Sequence, residues 1–266
     1  MDMKRYLFLL ILVLNLPSAW AGSQSQAEAL HEPAQIIKFS KDVEKYAASK
    51  GARAFIIARK GRPEKDLPRG IKFTHTAVAI YSNITLNDGE VLQGYAIHNL
   101  YQEADRRDRS QLVVDYPVDF FWGAQELEAG ILIPNQQVQE SLIALIASGD
   151  ATKLHNPKYS VIANPFNSQF QNCTEYTLDL LNASIYQSLD QQQLKANAKA
   201  HFTPQRVRTS PFKLMFGSML MDDVTTKDHK GKIKTTTFLS LGRYLEANQL
   251  SEHFVTFNKD SIVHSL

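Results

Sequence analysis

The spacing of apolar residues along the chain predicts strands in the middle of the sequence and helices on both sides of them. Helical spacing occurs in residues 35–49, 135–149, 173–187, 189–200 and 238–248. Strand-like runs occupy residues 53–58, 72–81, 91–101, 111–114, 128–134 and 233–237. This order predicts an α+β fold in which an antiparallel β-sheet packs against helices.

The N-terminal residues have the pattern of a secretory signal peptide. Lys4 and Arg5 precede an apolar run over residues 6–16, and a small-x-small cleavage site follows that ends at Ala21. We expect cleavage after Ala21 and a periplasmic or secreted product. The run is much shorter than the roughly 20 residues that cross a bilayer, and no later segment approaches that length, so the mature form is expected to have no integral membrane segment. The alternative is an uncleaved membrane anchor.

The rest of the chain is expected to form one domain. Residues 22–35 are polar and predict a flexible leader, and residues 36–266 predict a single α+β domain with a C-terminal extension after about residue 188. A hydrophobic content of 44% is enough for a proper core. The formal charge of +2 leaves no basic footprint for nucleic acid. The oligomeric state does not follow from the sequence.

Cys173 is the only cysteine of the chain, and its neighbours predict a reactive thiol at a helix N-terminus. Exported proteins meet oxidising conditions, in which cysteines usually occur in pairs. Asn172 is a good N-cap and Glu175 falls in the first turn, so a helix is expected to begin at Cys173. The N–H groups and the dipole there lower the pKa of a thiol and can hold an oxyanion. The alternative is a buried, inert thiol.

Two histidines lie in neighbouring strand-like runs that are rich in small residues. Strand alternation places three residues of each run on one face: His75, Ala77 and Ala79 in the first run, and Gly94, Ala96 and His98 in the second. An Asn-Asp-Gly sequence at residues 87–89 predicts a turn between the runs. Pairing His75 with His98 produces a flat patch of small side chains, on which we expect the helix that begins at Cys173 to lie.

This arrangement predicts a catalytic unit for nucleophilic chemistry. His75 would be the general base, and His98 would orient its ring and fix its tautomer. If the register slips, Gln93, Asn99 or Glu103 would take the place of His98. Each histidine also has the simpler interpretation of a satisfied core residue.

A cofactor or metal is not expected. No histidine pair has zinc-ligand spacing, and the sequence has no Gly-x-Ser-x-Gly elbow and no phosphate-binding glycine loop. Asp222, Asp223, Asp228 and His229 are a weak candidate for a cation site, and a solvated acidic loop is the favoured interpretation.

A strand that bears His75 followed by a helix that begins at Cys173 resembles the order found in circularly permuted papain-like enzymes of the NlpC type. The Asn-Cys-Thr-Glu-Tyr sequence at residues 172–176 is similar to the Asn-Cys-Glu-His-Phe box of lecithin–retinol-acyltransferase-like proteins, and it departs from that box after the cysteine. Over roughly residues 50–248 the chain also resembles DUF2145, an exported bacterial family without an assigned activity. The tracts at residues 74–77, 164–167 and 171–175 carry that second resemblance.

The resemblance to NlpC-type enzymes implies catalysis by cysteine and histidine on amide, ester or thioester bonds. It also implies a polar group that supports the oxyanion hole, for which Asn172 and Tyr159 are the candidates. We therefore expect a hydrolase or acyltransferase of the cell envelope that forms an acyl-Cys173 intermediate. Its substrate would be a peptide, peptidoglycan or a lipid-derived acyl compound. The alternative is a non-catalytic periplasmic binding or assembly protein with a structural thiol.

Overall fold

The computed structural model describes residues 28–85, 88–208 and 223–266, which form a mixed α+β fold. The predicted signal peptide, residues 22–27 of the predicted leader and Asp222 lie outside the described residues. Within the described part of the chain, no helix combines the length and the apolar character that crossing a membrane requires.

Seven strands form one sheet in which every neighbouring pair is antiparallel, as the sequence predicted. The strand order is β4-β3-β2-β1-β5-β8-β9. Two further strands, β6 and β7, form a separate antiparallel pair. The bounds are β1 (Ala54–Lys60), β2 (His75–Thr85), β3 (Val91–Gln102), β4 (Ser110–Asp115), β5 (Glu126–Pro134), β6 (Gln205–Arg206), β7 (Lys234–Thr235), β8 (Ser251–Asn258) and β9 (Val263–Ser265).

Six α-helices and two short 3₁₀ turns accompany these strands in the described residues. The helices are α1 (Pro33–Ser49), α2 (Pro117–Trp122), α3 (Gln136–Ala147), α4 (Cys173–Tyr186), α5 (Gln191–His201) and α6 (Phe238–Ala247). The 3₁₀ turns are Glu64–Asp66 and Asp150–Leu154. The patterning predicted five of the helices and missed the six-residue α2, which is too short to show a helical period.

The sheet has a hydrophobic core on each face. We call them the α1 face, where α1 and α2 pack, and the α4 face, where α3, α4 and α6 pack. Strand β2 shows the division, because Ala77 and Ala79 belong to the core of the α1 face while Val78 and Ile80 belong to that of the α4 face. Burial on both faces explains why every residue of β1 is buried.

The register of the β2–β3 hairpin differs from the predicted one. His98 lies opposite Val78 instead of His75. Thr85 pairs with Val91, so the turn is centred on residue 88, and Gly89 has a φ of 87°, a conformation that favours glycine. Because strand side chains alternate, this odd shift moves each partner to the other face of the sheet. The predicted pairing of the two histidines is therefore wrong.

The predicted patch of small side chains beneath the helix that begins at Cys173 is wrong for the same reason. Ala77 and Ala79 face α1, whereas alternation along β3 places Gly94 and Ala96 on the α4 face. The four small residues thus lie on two different faces and form no common patch. Helix α4 packs instead on Val78 and its neighbours, and Thr76 Oγ1 lies 3.4 Å from Thr177 Oγ1.

The chain after residue 188 contributes to the main sheet and to its core. Strand β8, which the patterning missed, pairs with β5 from Glu128 opposite Asn258 to Pro134 opposite Ser251. Helix α6 packs over β5 and β8, with Phe238 and Leu241 buried in the core of the α4 face.

Candidate functional site

Cys173 is the first residue of α4, where the sequence predicted it. The Oδ1 atom of Asn172 accepts a hydrogen bond of 2.9 Å from the N–H of Glu175, and its backbone carbonyl accepts one from the N–H of Tyr176. The backbone N–H groups in the first turn of α4 lie at the end of the helix that attracts negative charge.

A cavity of about 160 Å³ opens beside Cys173. Its walls come from residues 62–74, 159–162 and 172–174, from Val207 and from residues 235–237. Tyr159, which the resemblance suggested as an oxyanion support, lines this cavity together with Asn172. The cavity, called the Cys173 cleft below, therefore contains three of the five predicted site residues.

The walls of the Cys173 cleft are held by hydrogen bonds between loops. Asn172 Nδ2 donates to the carbonyl oxygen of Val161 at 2.9 Å, which attaches the helix cap to one wall. The backbone N–H of Asn164 donates to Asp228 Oδ2 at 2.8 Å, and His229 Nε2 donates to the Ile162 carbonyl at 2.8 Å. These contacts give Asp228 and His229 a role in joining two loops.

The thiol of Cys173 is largely enclosed. The residue is 4% exposed and forms part of the core on the α4 face. Its Sγ lies 3.9 Å from the carbonyl oxygen of Thr74, the residue before His75, at the long limit of a thiol hydrogen bond. A carbonyl acceptor at this position stabilises the protonated thiol.

His75 is held by Asn99, one of the residues that the sequence left open for this role. His75 Nε2 lies 2.9 Å from Asn99 Oδ1. The amide orientation follows from Asn99 Nδ2, which donates to Asp115 Oδ1 at 2.7 Å and to the Ile97 carbonyl at 3.0 Å. Nε2 must then carry the proton, which leaves the lone pair on Nδ1. Nδ1 is buried and makes no hydrogen bond.

The surroundings of His75 favour a neutral ring. Its imidazole stacks on Tyr101 with the ring centroids 4.8 Å apart and packs against Phe120 at 5.4 Å. Complete burial, with a smaller contribution from the nearby Arg59 guanidinium, holds the pKa of His75 well below its ordinary value, although the Asn99 hydrogen bond acts in the opposite direction. The imidazole is therefore uncharged at neutral pH.

Asp115 completes the polar cluster around His75. Tyr101 donates its hydroxyl to Asp115 Oδ2 at 2.8 Å, so both carboxylate oxygens of Asp115 have donors. Burial raises the pKa of Asp115 to about 6, against the lowering effect of the hydrogen bonds from Tyr101 and Asn99. The sequence offered Asn99 only as an alternative to His98, and Asp115 did not stand out in it, because only the observed strand register brings both residues to His75.

The thiol and the imidazole do not form a hydrogen bond in this arrangement. Cys173 packs in the core of the α4 face, whereas the His75 ring lies against Phe120 on the α1 face. The contact between Sγ and the Thr74 carbonyl nevertheless limits their separation. Standard bond lengths from that carbonyl through the next residue keep Nδ1 within about 11 Å of Sγ.

His98 is separate from this cluster. Alternation along β3 places it on the α4 face, opposite Val78 and Val114 in the neighbouring strands. Burial lowers its pKa. Because His75 lies on the other face, His98 cannot orient the ring of His75, and the sequence prediction is wrong on that contact.

A buried charged cluster supports α4 just behind the thiol. Lys195 Nζ contacts Glu175 Oε1 at 2.7 Å and both oxygens of Asp179 at 2.8 Å. Burial raises the pKa of Glu175 to about 8; Lys195 lowers it and Asp179 raises it further. The ammonium group of Lys195 thus faces the carboxyl groups of both Glu175 and Asp179, and Glu175 is the one that is protonated at neutral pH.

In the residues that the structure describes, no group of three or more His, Cys, Asp or Glu side chains is arranged to hold a metal ion.

A family model described as "Uncharacterized protein conserved in bacteria (DUF2145)" matches residues 46–245 of the chain. The matched region contains Cys173, His75, Asn99 and the whole lining of the Cys173 cleft. No curated protein and no solved structure gives a match.

Proposed function

This chain belongs to the DUF2145 family of bacterial proteins, and from the site within the matched region we propose that it is a cysteine-dependent hydrolase or acyltransferase. Cys173 would attack an amide, ester or thioester carbonyl and form an acyl-Cys173 intermediate. The observation that carries the proposal is the position of the thiol. Cys173 combines the first position of a capped helix with a place in the wall of a cleft.

His75 is the proposed base. Its Nε2 is held by Asn99 and its Nδ1 has a lone pair that no other group uses, which is the state a general base needs. The proposal requires Sγ and Nδ1 to approach each other when a substrate or another electrophile occupies the cleft. Catalytic hydrogen bonds are often long or poorly aligned without substrate, and Thr74, whose carbonyl contacts Sγ, directly precedes His75 at the beginning of β2.

We further propose that the core is a circularly permuted relative of the papain-like fold of the NlpC type. Two observations support this. The strand that bears the histidine precedes the helix that begins at the cysteine, and this helix packs on an antiparallel sheet. The N-terminal sequence supports export to the cell envelope, with cleavage after Ala21.

The surroundings of Cys173 and His75 favour a second function, that of a non-catalytic binding protein. Sγ contacts the Thr74 carbonyl, and the His75 ring lies on the opposite face of the sheet. A non-catalytic binding protein with a structural thiol would have these features. In that case the Cys173 cleft would bind a ligand without changing it.

The pH dependence of alkylation separates the two functions. Because Cys173 is the only cysteine, iodoacetamide labelling followed by mass measurement reports on this thiol alone. For the enzyme we expect labelling of the folded protein near neutral pH, with an apparent thiol pKa below the ordinary value of about 8.5. His75→Ala should slow labelling at neutral pH by about tenfold or more, since the base that takes the thiol proton is lost.

His98→Ala is the matched control, because it removes a half-buried imidazole that has no contact with His75. Its labelling rate should equal that of the natural protein. Labelling that occurs only after denaturation, or an equal rate in the His75→Ala protein, would contradict the enzyme and favour the binding protein.

A further inference from the structure

We propose that the Cys173 cleft accepts a short, uncharged, apolar acyl group; this rests on the proposed function and narrows its substrate class. The cleft has a volume of about 160 Å³. For comparison, a cavity of roughly 150 Å³ with apolar walls holds a molecule of the size of benzene. An acyl chain of about that size fits, whereas a long lipid chain does not.

Much of the cleft wall is apolar. The apolar side chains come from three separate segments and are Leu67, Ile71, Phe73, Val161, Ile162 and Val207. Phe73, Ile162 and Val207 are each at most 8% exposed. An apolar group that enters this space removes its own surface from water, which stabilises the complex.

The polar part of the wall lies around the helix N-terminus. The hydroxyl of Thr174 is 2.9 Å from the carbonyl oxygen of Thr236, so residues 235–237 lie next to the first turn of α4. The hydroxyl of Thr236 is buried and makes no hydrogen bond. A carbonyl oxygen bound here would meet the N-terminal end of α4, which attracts negative charge. An apolar wall beside a polar helix end suits an acyl group.

The charges of the cleft are balanced. Arg62 and Asp66 are the charged side chains among its described lining residues. Burial lowers the pKa of Arg62, and the carboxylates of Asp223 and Asp66 oppose that effect. A charged ligand would meet one side chain of like charge as well as one of opposite charge in this lining, and its desolvation would cost free energy. The cleft therefore selects a neutral acyl group.

The chemical step balances with water as the co-reactant. The sulfur forms a bond to the acyl carbon, the bond from that carbon to the leaving oxygen breaks, and the thiol proton passes to the leaving oxygen. Water then adds its hydroxyl to the acyl carbon and its proton to the sulfur, which releases the carboxylic acid and restores the thiol.

A series of p-nitrophenyl esters tests the proposal on the mature protein. Acetyl, hexanoyl and dodecanoyl esters vary the chain length, and the ester of adipic acid has a hexanoyl chain that ends in a carboxylate. The readouts are the release of p-nitrophenol and the mass added to Cys173. We expect hexanoyl to react about tenfold or more faster than dodecanoyl or the adipic ester, since apolar pockets discriminate on this scale. Cys173→Ser should abolish acylation.

Two variants connect the preference to the cleft. Val207→Phe reduces the space and should move the preference from hexanoyl towards acetyl. Val91→Phe makes the same change at a residue that is 55% exposed on β3, and it should leave the preference unchanged.

Iodoacetamide labelling distinguishes failure of this inference from failure of the proposed function. A thiol with a low pKa that reacts equally with hexanoyl, dodecanoyl and adipic esters, or with none of them, overturns the acyl-group inference alone. A thiol that labels only after denaturation overturns both.

Discussion

At Asn172, one side chain links the helix that carries the thiol to the wall of the cleft. Its Oδ1 caps α4, and its Nδ2 donates to the carbonyl of Val161. We expect Asn172→Ala to lower the free energy of unfolding by about 2 kcal/mol, the upper end for a helix cap, because the loop contact is lost as well. Denaturant unfolding measures the change, and the alkylation rate of Cys173 should also fall.

Asn135→Ala is the control for this prediction. Asn135 caps α3 through one hydrogen bond to the N–H of Val138, away from the cleft. Its loss should cost about 1 kcal/mol and leave the alkylation rate unchanged. Equal effects of the two variants on alkylation would show that the Asn172 cap does not act on the thiol.

Asn99 offers a second test at the residue scale, because it holds the His75 ring. Asn99→Leu leaves the Nε2–H group of His75 and a carboxylate oxygen of Asp115 without their partner. We expect a loss of about 1–3 kcal/mol of stability. If His75 is the base, the pH profile of Cys173 alkylation should also shift towards that of His75→Ala.

The matched control is Asn182→Leu. Asn182 is fully buried and accepts a hydrogen bond of 2.9 Å from the Tyr244 hydroxyl, within the core of the α4 face. Its replacement should lower stability without a change in the alkylation profile. A normal profile in the Asn99→Leu protein would show that Asn99 only stabilises the fold.

At the scale of elements, the position of α6 depends on two glycines. A Cβ atom at Gly130 on β5 would collide with the ring of Phe238, and one at Gly242 on α6 would collide with the ring of Phe254 on β8. The helix can therefore lie close to the sheet only where these side chains are absent. Phe238 is buried beside Phe73, which lines the Cys173 cleft.

Gly242→Ala should destabilise the protein by about 1–3 kcal/mol, the usual cost of overpacking. Thermal unfolding measures it. Phe254→Leu in the same chain makes room for the new methyl group, so the double variant should recover part of the loss relative to the sum of the single changes. Strictly additive effects would show that the contact with Phe254 is not the cause.

At the scale of the whole molecule, the buried Glu175–Asp179–Lys195 cluster connects α4 with α5 and makes stability depend on pH. Glu175 has a pKa of about 8 in the folded protein and an ordinary value of 4.5. Between these values the folded state binds more protons than the unfolded state, so stability from this group is complete below about 4.5 and falls as the pH rises towards 8.

We expect Glu175→Gln to reduce this loss, because glutamine does not titrate. The measurement is the melting temperature between about pH 5 and pH 8. The melting temperature of the variant should increase relative to that of the natural protein as the pH rises. Glu140→Gln, a change at an exposed carboxylate of α3, should leave the dependence unchanged. A slope that persists in the Glu175→Gln protein would contradict the assignment.

The sequence by itself determined the features that depend on residues close together in the chain, which are the helix caps, the helices and the strands. The cap at Asn172 and the apolar spacing after it defined α4, and alternation defined strands β2 and β3 and, with the other elements, the antiparallel α+β fold. These features follow from local hydrogen bonds and from periods of 3.6 and 2 residues, which the sequence displays directly.

Only the tertiary structure decided which residues meet. The β2–β3 register is held by packing on both faces of the sheet, and a shift by an odd number of residues would move every side chain to the other face. His75 therefore forms a hydrogen bond with Asn99 on the α1 face and does not contact His98. The short α2 supplies Phe120 to that cluster, and β8 completes the sheet. Such contacts join residues far apart in sequence, and no local pattern specifies them.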